Sequence, residues 1–305
     1  MSRFLMIALV IGTAALYVSP WVSSATIETP EALPLEIPAT EWRPLRGLQD
    51  PSLHKELVTR LSENPQWANL IESQKFAVAV VDLRDPRTIR FASVNGDTMM
   101  YAASLPKIAI LLAACQAFQD GTLFESPRNV DDLHDMIRFS SNGAATRMIG
   151  RLGFKKIEAV LTDPQYALFD PSAGGGLWVG KAYAKSGRAY RDPIKSLSHG
   201  ASATQVARFY YLLATGKLIN RDRCQQMLTL MSDPAVKHKF VYSLEKIAPH
   251  ATVYRKSGTW KKWHADSALV WDDNRRYILV GLVEDGRGEY VLRGLVPTVD
   301  DMLRW

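Results

Sequence analysis

Cysteine is scarce in this 305-residue chain, with only Cys115 and Cys224 present. Two residues so far apart cannot staple a fold, so a disulfide-dense scaffold is excluded, and both read as small buried hydrophobes. Histidine is also sparse, at six, and no His-x-x-x-His or Cys/His spacing offers a metal site. Neither metal nor cofactor is expected. A Gly-x-Ser-x-Gly elbow, a phosphate-binding Walker loop and a dinucleotide fingerprint are all missing. Internal repeats and low-complexity tracts are absent as well. The formal charge is +6, with a pI near 9.2. The basic residues are nonetheless scattered, without a run or an aromatic-interleaved stripe, which excludes a nucleic-acid partner and leaves acidic surroundings such as a cell wall.

What is present is enough for a large core: 47% of the residues are hydrophobic and 22% charged. Arg3 and the apolar run Phe4 to Val18, broken by Ser19-Pro20 and followed by Ser23-Ser24-Ala25, read as an export signal cleaved after Ala25. The run is short for a bilayer span, so a retained anchor is the lesser alternative, and membrane contact is expected only if the segment stays. A periplasmic or secreted protein follows, acting as a monomer. Residues 26–51 carry five prolines and no sustained period, so they read as a linker or an extended arm, with the folded part starting near Ser52.

From there the pattern predicts a helix over 53–71 interrupted at Pro65, then strands at 76–82 and 88–94. A helix follows from Pro106 to about Gly121, with further helices at 131–138, 142–152, 155–161, 203–216, 220–232 and 236–247. Residues 162–200 hold six glycines and three prolines with no clear period. Strands at 251–260, 264–271 and 276–283 and a helix over 290–303 close the chain. Strands at both ends with helices between them give an α+β class, with an antiparallel sheet and a mostly helical insertion from mid-chain.

A serine nucleophile needs a base, an oxyanion site and a proton path to the leaving group. Ser104-Leu-Pro-Lys107 places an ammonium three residues from a hydroxyl, within reach on a helix face, and desolvation would make that lysine a base. The spacing alone is weak, since Ser52-Leu-His-Lys55 and Ser243-Leu-Glu-Lys246 repeat it, as do other Ser-x-Asn and Lys-Ser-Gly matches. One combination has a consistent order: Ser104-x-x-Lys107 after a strand pair, Ser140-Ser-Asn142 between two helices, and Lys256-Ser-Gly-Thr259 in a strand.

With that trio the chain resembles the class A β-lactamase and penicillin-binding serine hydrolase superfamily, from about Lys75 onward. The resemblance implies a five-stranded antiparallel sheet flanked by helices. It implies Ser104 as acylated nucleophile, Lys107 as base or relay, and Ser140 as proton carrier to the leaving nitrogen. Asn142 would hold the substrate amide, Lys256 would keep the site positive, and Ser257 would bind the substrate carboxylate. Backbone N–H groups of Ser104 and Thr259 would form the oxyanion hole. The implied substrate is a small-molecule β-lactam or a peptidoglycan-derived peptide. The implied activity is hydrolysis through an acyl-enzyme, with a cell-wall D-Ala-D-Ala carboxypeptidase or transpeptidase and a non-turnover sensor as alternatives. The family's Glu-x-x-x-Asn element is missing: between Asn142 and Glu245 the one glutamate is Glu158, in a helical pattern. Asp163, Asp170 and Asp192 each adjoin a proline and read as turn residues. Ser141 stands where the family has Asp. Trp260 is a candidate cleft residue, whereas Trp263 and Trp271 read as core or sheet-face aromatics.

Overall fold

A computed structural model describes residues 34–304 of the chain. The expected signal, its cleavage after Ala25 and the first part of the proline-rich arm (26–33) lie outside the described residues. Helices α1 (Pro51–Ser62) and α2 (Pro65–Glu72) replace the single interrupted helix of the sequence pattern. Each starts with proline at its first position behind a side-chain cap, Asp50 or Asn64, and α4 (Pro127–Arg138) repeats the device with Ser126. Proline lacks only an N–H that the first turn leaves unused, so here it begins helices and does not break them.

Strands β1 (Phe76–Asp82) and β2 (Arg90–Val94) follow, then a short β3 (Met100–Tyr101). The middle of the chain is helical: α3 (Lys107–Gln119), α4, α5 (Asn142–Leu152), α6 (Phe154–Thr162), α7 (Ala203–Ala214) and α8 (Arg221–Met231). Between α6 and α7 lie only short strands, β4 (Phe169–Asp170), β5 (Gly175–Gly176), β6 (Trp178–Val179) and β7 (His199–Ala201). Helix α9 (Phe240–Ile247), strands β8 (Thr252–Trp260), β9 (Trp263–Trp271) and β10 (Arg276–Glu284), and α10 (Gly288–Leu303) complete the fold.

The main sheet has the order β2-β1-β10-β9-β8 and is antiparallel throughout. Strand β1 is buried at every position, because successive side chains serve two cores. Phe76, Val78 and Val80 meet residues of α1, α2 and α10, whereas Ala77, Ala79 and Val81 join the core shared with α3, α5 and α7. Strand β8 ends the sheet, leaving one edge of its backbone free toward the helical part.

The packed chain begins upstream of Ser52, where the sequence placed a linker or an extended arm. Leu35, Leu45 and Leu48 are buried in the first core, and Gln49 bridges to Phe91. Single leucines spaced among prolines carry no periodic signal, although each fills a core position. Cys115 and Cys224 are free thiols buried in the helical part, and burial pushes both up to about 12.

Candidate active site

Ser104 lies in the turn that joins β3 to α3. Leu105 N–H donates to Ala102 O and Lys107 N–H to Ser104 O, so the chain coils before the helix proper starts at Lys107. Ala103 just ahead adopts φ 51°, a left-handed conformation that a non-glycine residue takes only when its surroundings impose it. Helix α3 is apolar on all sides and buried, which carries Lys107 inside with 0% exposure. Its Nζ donates to Ser140 O (2.6 Å) and Asn142 Oδ1 (2.8 Å) and sits 3.5 Å from Ser140 Oγ. Desolvation lowers its pKa from 10.5 to about 7. The sequence placed this ammonium against the Ser104 hydroxyl. In the fold it reaches across to the α4–α5 turn instead, and Ser104 Oγ has no hydrogen bond among the described residues. The Tyr183 ring covers the ammonium at 4.6 Å, and its hydroxyl donates to Ala103 O (3.1 Å).

The turn after α4 divides its work between two serines. Ser141 caps α5 by accepting from Ala144 N–H (3.2 Å), a task an aspartate would also perform. Ser140 adopts φ 58° and is left free to face the lysines. Lys256, 2% exposed on β8, donates to Ser140 Oγ (2.9 Å) and to Ser257 O (3.0 Å). Burial first, and then the neighbouring Lys107, hold its pKa well below the usual lysine range. One hydroxyl thus lies between two buried amines.

Gly258 brings β8 onto the Ser104 turn. A Cβ at that position would stand 2.1 Å from Ala102 O, 2.7 Å from Ser104 N and 2.8 Å from Leu105 N. Only glycine allows this approach, so the backbone ahead of Thr259 runs alongside the Ser104 amide. Thr259 itself is exposed, and the Ser257 hydroxyl has no hydrogen bond among the described residues. A third buried amine, absent from the sequence reading, supports this segment from below. Lys239 Nζ donates to Gly258 O (2.6 Å), Thr259 Oγ1 (2.8 Å) and Ala265 O (3.1 Å), and burial lowers its pKa to about 8. Lys239 precedes α9 with φ 53°, and nothing in the local sequence marks it. Beside it, Arg255 and Asp266 form a closed, buried ion pair at 2.7 Å.

The other Ser-x-x-Lys matches stand elsewhere. Ser52 is exposed on α1 and bonds its own cap, whereas Ser243 on α9 donates to Arg293 O while Lys246 turns to Tyr242. A model of the Beta-lactamase enzyme family matches residues 65–126 and 124–294. The chain belongs to that family. The β-lactamase of Sphaerobacter thermophilus superposes with a TM-score of 0.61 at 14% identity, over 76% of this chain and 94% of that one. A structure of PBP-A gives 0.60 at 17% identity, over 88% and 98%. A PBP-A mutant solved as an acyl-enzyme complex with penicillin G gives 0.62 at 18% identity, over 85% and 98%. At these identities the likeness concerns the fold. Among curated proteins no sequence gives a significant match.

For a β-lactamase family member, the surroundings of Lys107 hold an unexpected group. Tyr183 and His199 occupy them, their rings 4.2 Å apart, and no carboxylate among the described residues bonds Lys107, Ser140 or Lys256. His199 is buried, which lowers its pKa to about 4 and keeps the ring neutral. The aspartates of residues 162–200 are turn acceptors: Asp163 for Gln165 N–H, Asp170 for Ser172, Asp192 for Ile194, Lys195 and Leu197 N–H. Glu158 lies on α6 and receives the Tyr190 hydroxyl. The glycines at 174–176 and 180, four of the six in residues 162–200, let backbones cross closely. A Cβ at Gly180 would fall 1.6 Å from Tyr190 O. A cleft of about 930 Å³ opens beside Asn142 and Tyr183, lined by Trp260 as expected and also by Trp263, which the sequence assigned to the core or sheet face.

Proposed function

We propose that the chain is a serine acyl-transfer enzyme that converts a β-lactam or a related amide into an ester on Ser104. Ser104 Oγ attacks the carbonyl carbon, and its proton passes to neutral Lys107, directly or through Ser140. The backbone N–H groups of Ser104 and Thr259 receive the oxyanion. As the C–N bond breaks, Ser140 gives a proton to the leaving nitrogen and is resupplied by the lysines beside it. Asn142 holds the substrate amide, and Lys256 with Ser257 takes its carboxylate. The observation that carries the reading is the Ser140 hydroxyl set between two desolvated amines, 2.9 Å and 3.5 Å away, beside the Ser104 turn.

The acyl-enzyme is long-lived in this reading. Release needs an activated water, and among the described residues Lys107 is covered by Tyr183 and bonded by no carboxylate. Losing general-base assistance costs about 10²- to 10⁴-fold in rate. This weights the activity toward penicillin-binding or slow hydrolysis over fast β-lactam destruction. The N-terminal apolar segment supports an exported location. The test is intact-mass spectrometry during a time course with benzylpenicillin. A persistent adduct mapping to Ser104, absent in Ser104→Ala but retained in Ser52→Ala and Ser243→Ala, is expected. Rapid loss of the penicillin with only a fleeting adduct would favour fast hydrolysis. Labelling that survives Ser104→Ala would remove the nucleophile assignment.

A further inference from the structure

The cleft beside Asn142 borders none of Ser104, Lys107, Ser140, Lys256 or Ser257; it meets the candidate site through Asn142 and Tyr183 and lies away from the place assigned to the substrate's carboxylate. Its floor is aromatic: Tyr101 and Trp263 meet at 5.4 Å, Tyr183 adjoins them through His199, and Trp260 closes one side while 55% exposed. An aromatic left this exposed on the edge strand beside a reactive turn offers a surface to an apolar group. The rim is basic. Lys75, Lys181, Lys185 and Lys195 line it against Glu284 alone, and Glu284 is neutralised by Lys262 at 2.7 Å. Among the described residues none of these four lysines makes an ion pair, and Lys181 Nζ donates to Lys185 O (3.5 Å) within the same rim. Lys185, which opens a second Lys-Ser-Gly match in the sequence, therefore contributes one of these charges. His199 beneath them is neutral, so it adds nothing of either sign.

From this we infer that the cleft is a subsite for the acyl portion of the substrate, selecting an acyl group with an apolar body and a carboxylate of its own. The inference rests on the acylation reading and deepens it: the donor carries two anionic groups, one toward Lys256 and one toward the Lys181–Lys185–Lys195 rim. A basic rim around a cleft draws in anionic substrates and raises encounter rates, an effect that added salt removes.

Two penicillins that differ by a single carboxylate on the acyl side chain, benzylpenicillin and α-carboxybenzylpenicillin, test this directly. The second-order rate constant for Ser104 labelling is measured with each at low salt and near 1 M salt. The charged compound is expected to label roughly ten-fold faster at low salt, with the advantage collapsing at high salt, where the screening length shrinks to about 3 Å. The double variant Lys185→Ala/Lys195→Ala, at exposed positions where folding is not at stake, should bring the ratio of the two rates toward one. Equal rates at low salt, or a preference untouched by salt and by the lysine variant, would overturn the subsite while leaving acylation at Ser104 standing. Failure of both compounds to label Ser104 would instead overturn the acylation reading, and the subsite with it.

Discussion

Replacing Gly258 by alanine is the sharpest single perturbation of the proposed oxyanion site. The added methyl would lie 2.1 Å from Ala102 O and 2.7 Å from Ser104 N. Ordinary C···O separations are about 3.3 Å or more, so strand and turn must part by roughly 1 Å. Both contacts are backbone, and neither can swing aside as a side-chain tip would. Overpacking of this kind costs about 1–3 kcal/mol of stability. The effect on rate is larger, because the displaced groups include the Ser104 amide and the segment carrying the Thr259 amide. A misplacement near 1 Å costs about 10²-fold, and loss of one oxyanion donor about 10²- to 10³-fold. Gly258→Ala should therefore label Ser104 at least about a hundred-fold more slowly than the parent while still melting cooperatively. The assay is the labelling rate constant with benzylpenicillin beside a thermal melt. A folded variant that labels within about threefold of the parent would refute the placement of the oxyanion hole at this contact.

Other outcomes follow from the buried amines. Lys107 titrates near 7, and only its neutral form accepts a proton, so labelling should rise with pH toward 7 and level above it. At pH 5 the neutral fraction is about one in a hundred, and a flat profile between pH 5 and 8 would remove Lys107 as the base. Tyr183→Ala admits water to that ammonium, favouring its charged form, so the midpoint of the profile should move to higher pH. Lys239→Met leaves Gly258 O, Thr259 Oγ1 and Ala265 O without their donor, which should cost about 1–3 kcal/mol by thermal melt. It should also slow labelling at least about ten-fold through the loosened strand, with Lys239→Arg recovering part of the rate.

The parts legible in the sequence are those in which local pattern and motif coincide. The strands that now form β1, β8, β9 and β10 announce themselves by alternation and β-branching, and the order of the Ser-x-x-Lys, Ser-x-Asn and Lys-Ser-Gly segments picks out Lys107, Ser140 and Lys256. Long-range geometry decided the rest. Spacing suggested that Lys107 faces Ser104, but the helix begins at Lys107 and the ammonium meets the α4–α5 turn from another part of the fold. The roles of Ser140 and Ser141 depend on one φ angle of 58°, which no residue type dictates. Lys239 lies seventeen residues ahead of Lys256 in number but reaches the same strand in space, through Gly258 O and Thr259 Oγ1 of β8. Tyr183 and His199 come from a segment with no period, held by the short β3-β7-β6 ribbon that sequence patterning could not find.

Charge balance ties these features together. Three buried amines, Lys107, Lys239 and Lys256, crowd one region, and Asp266, a buried carboxylate whose charge acts on Lys239 and Lys256, is already committed to Arg255. Backbone carbonyls of Ser140, Ser257, Gly258 and Ala265 solvate the amines but bring no net negative charge. A buried positive cluster of this kind is relieved in only two ways, by losing protons or by gaining an anion. The depressed pKa values of all three lysines reflect the first route. Acylation as proposed uses both: Lys107 gives up its charge to serve as the base, whereas the arriving substrate carboxylate would raise the depressed Lys256 pKa and restore that lysine's charge. The same imbalance would account for the slow release proposed above. A carboxylate placed beside Lys107 to activate water would also restore the lysine's proton and remove the base that forms the ester. In the proposed reading Tyr183 covers Lys107 without supplying negative charge, desolvation keeps the amine near 7, and acylation would be favoured over turnover.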